Sequence, residues 1–154
     1  MKLIAHRGNI QGSNPLLENN PVYVFHALQS GFEAEIDVWF LGGRFYLGHD
    51  VPKYPIDESY LDQEGLWCHA KNLEALEKMK SKKIHCFWHQ NDDYTLTSRG
   101  YTWVYPGKPA PANSILVILG KAFPDKKPLD IAGYCGDYLI GSDPTKSALW
   151  GVKK

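Results

Sequence analysis

The segment Phe32-Glu33-Ala34-Glu35-Ile36-Asp37-Val38-Trp39 alternates strictly between apolar and acidic residues. That period of two predicts a β-strand with Phe32, Ala34, Ile36 and Val38 on one face and Glu33, Glu35 and Asp37 on the other. The apolar face should pack under a helix. Further short strand-like runs recur at Lys2–His6, Arg44–Gly48, Leu66–Ala70, Ile84–His89, Tyr101–Tyr105, Ser114–Leu119 and Ile131–Tyr134, with a short piece at Tyr138–Ile140.

Two stretches predict helices. In one, Asn20 caps, Pro21 takes the first position and Gly31 ends the helix, with Val22, Phe25 and Leu28 on its apolar face. In the other, Asn72 caps a helix running to about Lys80, with Leu73, Leu76 and Met79 as its stripe. Strand–helix–strand order around both implies parallel pairing. The expected architecture is α/β: a small or incomplete TIM-type (β/α) barrel lacking several outer helices, in one domain spanning 1–154. Complete barrels of this type take about 250 residues. An open parallel sheet is the alternative.

Composition changes this picture little. Hydrophobic residues are 44% and charged residues 22%, as in ordinary globular chains. Lys plus Arg is 17 and Asp plus Glu is 17, so no net charge favours nucleic acid or an anionic membrane. No apolar run approaches the roughly 20 residues of a spanning helix, and no signal peptide is evident, which points to the cytoplasm. Cys68, Cys86 and Cys135 match no zinc spacing and read as buried thiols in strands.

Chemistry concentrates at strand ends. Ala5-His6-Arg7-Gly8 ends the first strand, and Gly48-His49-Asp50 ends the hairpin after Asp37. Two histidines, an arginine and two carboxylates thus converge at one rim. Phosphodiester cleavage needs a general base, a general acid, a cation and a phosphate-binding guanidinium.

The string His6-Arg7-Gly8, Glu18-Asn19, Ala34-Glu35-Ile36-Asp37-Val38 and Gly48-His49-Asp50 resembles the opening motif of glycerophosphodiester phosphodiesterases, within the phosphatidylinositol phospholipase C-like superfamily. The resemblance covers residues 4–50. It implies His6 and His49 as the acid–base pair, and Glu35 and Asp37 as ligands for Mg²⁺ or Ca²⁺. Arg7 would hold phosphate, and Glu18 would lie at the site's edge. The next motif departs from the family's Glu-x-Lys. Here the strand ends in His69-Ala70-Lys71, so Lys71 keeps its phosphate role while His69 replaces a metal-binding Glu. An imidazole ligand shifts preference toward Mn²⁺ and similar metals. The 20 residues from His49 to His69 leave little room for the family's inserted subdomain, so the cleft should be open.

Other residues are weaker candidates. His89, Trp103, Tyr105 and Lys108 could line the pocket, and Asp137 could orient Arg7 or a histidine. His26 and His85 read as structural. The implied partner is a small phosphodiester substrate. Two other readings stay open: a non-catalytic phosphate or sugar-phosphate binding module, and metal-independent phospholipase C-type chemistry using the histidines and Arg7.

Overall fold

Leu3 and Ala5 alternate with Ile4 and His6, and this short run forms β1 (Lys2–His6). The computed structural model describes residues 1–123 and 130–140, so the single-domain expectation over 1–154 extends beyond the described residues. After β1 come α1 (Pro21–Gln29), β2 (Glu33–Leu41), β3 (Arg44–Leu47), β4 (Tyr54–Ile56) and a 3₁₀ turn at Glu58–Asp62. Then follow β5 (Leu66–Ala70), α2 (Leu73–Ser81), β6 (Cys86–Trp88), β7 (Tyr94–Leu96), β8 (Thr102–Val104), β9 (Ser114–Ile118) and β10 (Gly133–Gly136).

The parallel strands run in the order β6-β5-β2-β1-β10-β9-β8. β1 sits at the centre, with Ile4 opposite Cys135 on one side and His6 opposite Glu35 on the other. Gly133 permits this, because a Cβ there would run into the Lys2 carbonyl oxygen. β2 is long enough to pair with β1 and β5 along its first part and with antiparallel β3 along its last. The β2–β3 turn uses Gly42 and Gly43, both with positive φ, the geometry of a tight hairpin. β4 adds an edge strand to β3, with Pro55 opposite Tyr46. β7 pairs antiparallel with β8. The sheet curls far enough for β6 and the β7 region to meet: Thr95 Oγ1 donates to the Trp88 carbonyl at 2.7 Å, and Ser98 N to the Cys86 carbonyl at 2.8 Å.

This corrects the expected TIM-type barrel. The molecule is a curled, mixed half-barrel sheet carrying two short helices among the described residues. Among the described residues, only β1–α1–β2 and β5–α2–β6 form strand–helix–strand units. The connection from β8 to β9 is a short, Pro- and Gly-rich turn that cannot hold a helix, and β3, β4 and β7 run antiparallel.

Each face of the sheet has its own core. Leu3, Ala5, Ala34, Ile36, Val38, Cys68 and Ala70 bury the outer face against Val24, Ala27, Ala75 and Met79 of the helices. Ile4, Trp67, Phe87, Trp103, Ile115, Val117 and Cys135 fill the inner face. The alternation expected of β2 therefore holds. The expected helix stripes need correction: Val22 is 63% and Phe25 45% exposed in α1, and Leu73 is 57% exposed in α2. The helices lie on Val24 with Ala27 and on Ala75 with Met79, because small residues let a short helix sit close to the strands. The three cysteines are buried free thiols in strands.

Candidate active site and cation centre

On the inner face of β2 the three acidic residues meet different fates. Glu33, nearest the strand's start, is consumed: Lys2 Nζ donates to it at 2.7 Å and Trp67 Nε1 at 2.6 Å. Glu35 and Asp37, further along, are buried. Parallel pairing sets Asp37 beside His69 of β5 and Glu35 beside His6 of β1. The period of two in Trp67, His69 and Lys71 thus delivers His69 and Lys71 to the carboxylates.

Asp37 is the hub. Asn19 clamps it twice: Asn19 Nδ2 donates to Oδ2 at 2.8 Å, and the Asp37 amide donates to Asn19 Oδ1 at 2.8 Å. Arg7 Nε lies 3.1 Å from Oδ2, His69 Nδ1 3.1 Å from Oδ1 and Lys71 Nζ 3.5 Å from Oδ1. None of the last three is aligned as a hydrogen bond, so Oδ1 is buried without a donor. Burial would raise the Asp37 pKa, but contact with His69 in its protonated form, then the charges of Arg7 and Lys71, hold it well below the usual carboxylate range. Glu35 moves the other way, raised by burial and by the charge of Asp37.

His69 has a fixed orientation. Its Nε2 lies 2.8 Å from the His89 carbonyl oxygen. A carbonyl only accepts, so Nε2 carries the hydrogen. In the neutral ring Nδ1 then keeps its lone pair, and it faces Asp37 Oδ1 and, at 3.7 Å, Glu35 Oε1. Three electron-pair donors looking at one another call for a proton or a cation. Ligand atoms of Glu35, Asp37 and His69 all lie within 4.8 Å of one another. The set fits a divalent ion by its chemistry: two carboxylates, a donorless buried oxygen, and an imidazole oriented through its other nitrogen.

Arg7 is locked into place. Its φ is 53°, in the left-handed region. The amide donates to Glu35 Oε2 at 3.2 Å and NH1 to Glu18 Oε2 at 3.0 Å. Glu18 in turn accepts from Asn9 and Ser13. Asn9 also donates to Asp137 Oδ1 at 2.9 Å. The same Asp137 oxygen lies 2.9 Å from His6 Nδ1, and its partner Oδ2 accepts from the Gly120 amide at 3.1 Å. Burial alone would lower the His6 pKa. The hydrogen bond to Asp137 and the charge of Glu35 outweigh it, so the value is raised. Asp137 is lowered despite burial, chiefly by its bond to His6.

His49 lies across from this network, half-exposed, with Nδ1 2.7 Å from Asp50 Oδ1. Two clefts share His6, Arg7, His49 and Leu119. One, of about 280 Å³, is lined also by Glu35, His69, Lys71, His89 and Tyr105. The other, of about 630 Å³, opens past Glu18, Asn19 and Lys53.

All the expected site residues, His6, Arg7, Glu18, Glu35, Asp37, His49, His69 and Lys71, therefore come to one place. Glu18 lies at the edge, holding Arg7. His89 and Tyr105 line the smaller cleft with buried Trp103, whereas Lys108 turns away to pair with Asp93 at 2.9 Å. Sequence pattern does not single out Asn9, nor the clamp made by Asn19 on Asp37. Asn19 shares the left-handed backbone of Arg7, at φ 62°, and an asparagine beside each motif was the signal available. Compared with protein-family models, curated proteins and solved structures, the chain matches none. Among the described residues, no helix is long and apolar enough to cross a membrane.

Proposed function

We propose that the chain hydrolyses a small phosphodiester, in the manner of the glycerophosphodiester phosphodiesterases its motifs resemble. The observation that carries this reading is Asp37 Oδ1, a buried anionic oxygen with no aligned hydrogen bond, facing His69 and grouped with Glu35 beside a cleft lined by His6, His49, Arg7 and Lys71.

Arg7 and Lys71 bind the non-bridging phosphate oxygens, the guanidinium by paired hydrogen bonds. Glu35, Asp37 and His69 would hold a divalent cation, Mg²⁺, Ca²⁺ or Mn²⁺. Bound there, it would offset the negative charge that builds on phosphorus oxygens. His49, at the open side, takes the proton of the attacking water. The water oxygen bonds to phosphorus and the P–O bond to the leaving alcohol breaks. His6 gives that alkoxide its proton. Asp137 favours this role because it accepts from His6 Nδ1 and stabilises the charged ring. The products are an alcohol and a phosphomonoester.

The test is release of p-nitrophenol from bis-p-nitrophenyl phosphate and of free alcohol from glycerophosphodiesters, with Mg²⁺, Ca²⁺ or Mn²⁺ and with chelator. Turnover with cation and its loss with chelator are expected. Turnover unaffected by chelator would replace this reading with metal-independent chemistry. Phosphate binding with no turnover under any cation would leave only a binding module.

A further inference from the structure

The opposite end of the sheet is also hollow. At the starts of β1, β2 and β5, away from His6, Asp37 and Lys71 at the other end of these strands, lies a cavity of about 370 Å³. Its deep wall is aromatic and apolar. Trp67 and His85 have ring centroids 4.2 Å apart, Trp67 and Tyr101 5.1 Å, and Phe32 and Leu66 complete the wall.

The charges there are unevenly used. Lys2 is spent on Glu33, with Nζ also 5.7 Å from the centroid of Trp67. Arg99 and Glu64 line the cavity too, both exposed, yet Arg99 makes no ion pair among the described residues, with Glu64 or any other group. His85 is the second anomaly. It is 5% exposed and lines the cavity, and its Nε2 has no hydrogen-bond partner. That nitrogen is closed off from solvent, so the ring meets the cavity through its other atoms. Burial, then the positive charges of Arg99 and Lys2, push its imidazole down to about 4. It therefore offers a neutral ring in a positive field.

We infer that this cavity binds a small carboxylate with an apolar body. The carboxylate would meet the Arg99 guanidinium, whose fork matches it, beside the neutral His85 ring. The body would rest on Trp67, Tyr101 and Phe32. A phosphate dianion suits the place less, because among the described residues only one free cation lines the cavity, with Glu33 and Glu64 nearby. Glu64 at the mouth leaves room for a ligand that also carries an amine. This inference stands apart from the proposed hydrolysis, and no residue is shared.

The experiment is NMR of the histidine ring resonances in the full chain, titrated with sodium benzoate, L-phenylalanine, benzylamine and inorganic phosphate. His85→Phe identifies the His85 signal. Saturable shifts of that signal with benzoate or phenylalanine are expected. Arg99→Gln, an exposed and fold-neutral change, should weaken binding about tenfold or more, with turnover of bis-p-nitrophenyl phosphate unchanged. No shift with either carboxylate at millimolar concentration would overturn the proposal. So would a shift with benzylamine or phosphate alone, or carboxylate binding that ignores Arg99→Gln.

Discussion

Lys71 and His69 reach the same oxygen of Asp37 from two sides, and they pull in opposite directions chemically. A cation bound at Glu35, Asp37 and His69 must compete with the Lys71 ammonium. Lys71→Met is therefore expected to tighten Mn²⁺ binding in calorimetric titration while raising KM for the phosphodiester. His69→Ala should weaken the same binding at least about tenfold, as loss of an oriented ligand does. His6→Ala and His49→Ala should each lower turnover about a hundredfold or more, the scale of general acid–base groups. The raised His6 pKa also has a sign for stability. Folded His6 holds its proton more tightly than in the unfolded chain, so the bond to Asp137 contributes fully below about pH 6.5. That contribution fades as pH rises through the folded value. Asp137→Asn should lower the His6 pKa in an NMR titration and flatten this part of the stability–pH curve. Loss of activity with an unmoved His6 pKa would show that Asp137 acts some other way.

Among the elements, α2 depends on one side chain more than its length suggests. Asn72 Oδ1 accepts from the Ala75 amide at 3.1 Å and also from the Phe40 amide, while its Nδ2 donates to the Phe40 carbonyl at 2.9 Å. The residue caps the helix and ties it to β2 at once. Asn72→Ala is expected to destabilise by about 2–3 kcal/mol, the cap plus the lost bonds, read as a lower urea midpoint. Asn72→Ser should recover only the capping part. This element was legible in the sequence, since a cap and an apolar period are local properties. The carboxylate strand was legible for the same reason. The helix faces were not. Val22 and Phe25 look like the buried side until the strand beneath α1 selects Val24 and Ala27. Asp137 shows the limit more sharply: it holds His6 across 131 positions of chain, and only the pairing of β1 with β10 brings them together.

At the scale of the molecule, the same distinction explains the error in fold. Two strand–helix–strand units are present, and continuing them along the chain predicts a barrel. Elsewhere among the described residues, connections such as residues 106–113 are too short and too rich in Pro and Gly for helices, and β3, β4 and β7, each pairing antiparallel with its neighbour, extend the curled sheet. A cation at the site would couple β1, β2 and β5, because its ligands and their supports come from all three. Adding Mn²⁺ at a hundred times its Kd should raise stability by about 2.7 kcal/mol, seen as a higher Tm that chelator reverses. An unchanged Tm with every cation tested would speak against the centre. Pro55 bears on the molecule's behaviour in company. It is exposed in the middle of β4, the edge strand of the sheet. Proline has no amide hydrogen, and such residues guard exposed edges from extension by other chains. Pro55→Val would restore an amide donor to this edge, in the strand-favouring run Tyr-Val-Ile. The fold should survive, but the concentrated protein should self-associate through this strand, visible as rising light scattering where the parent chain stays dispersed.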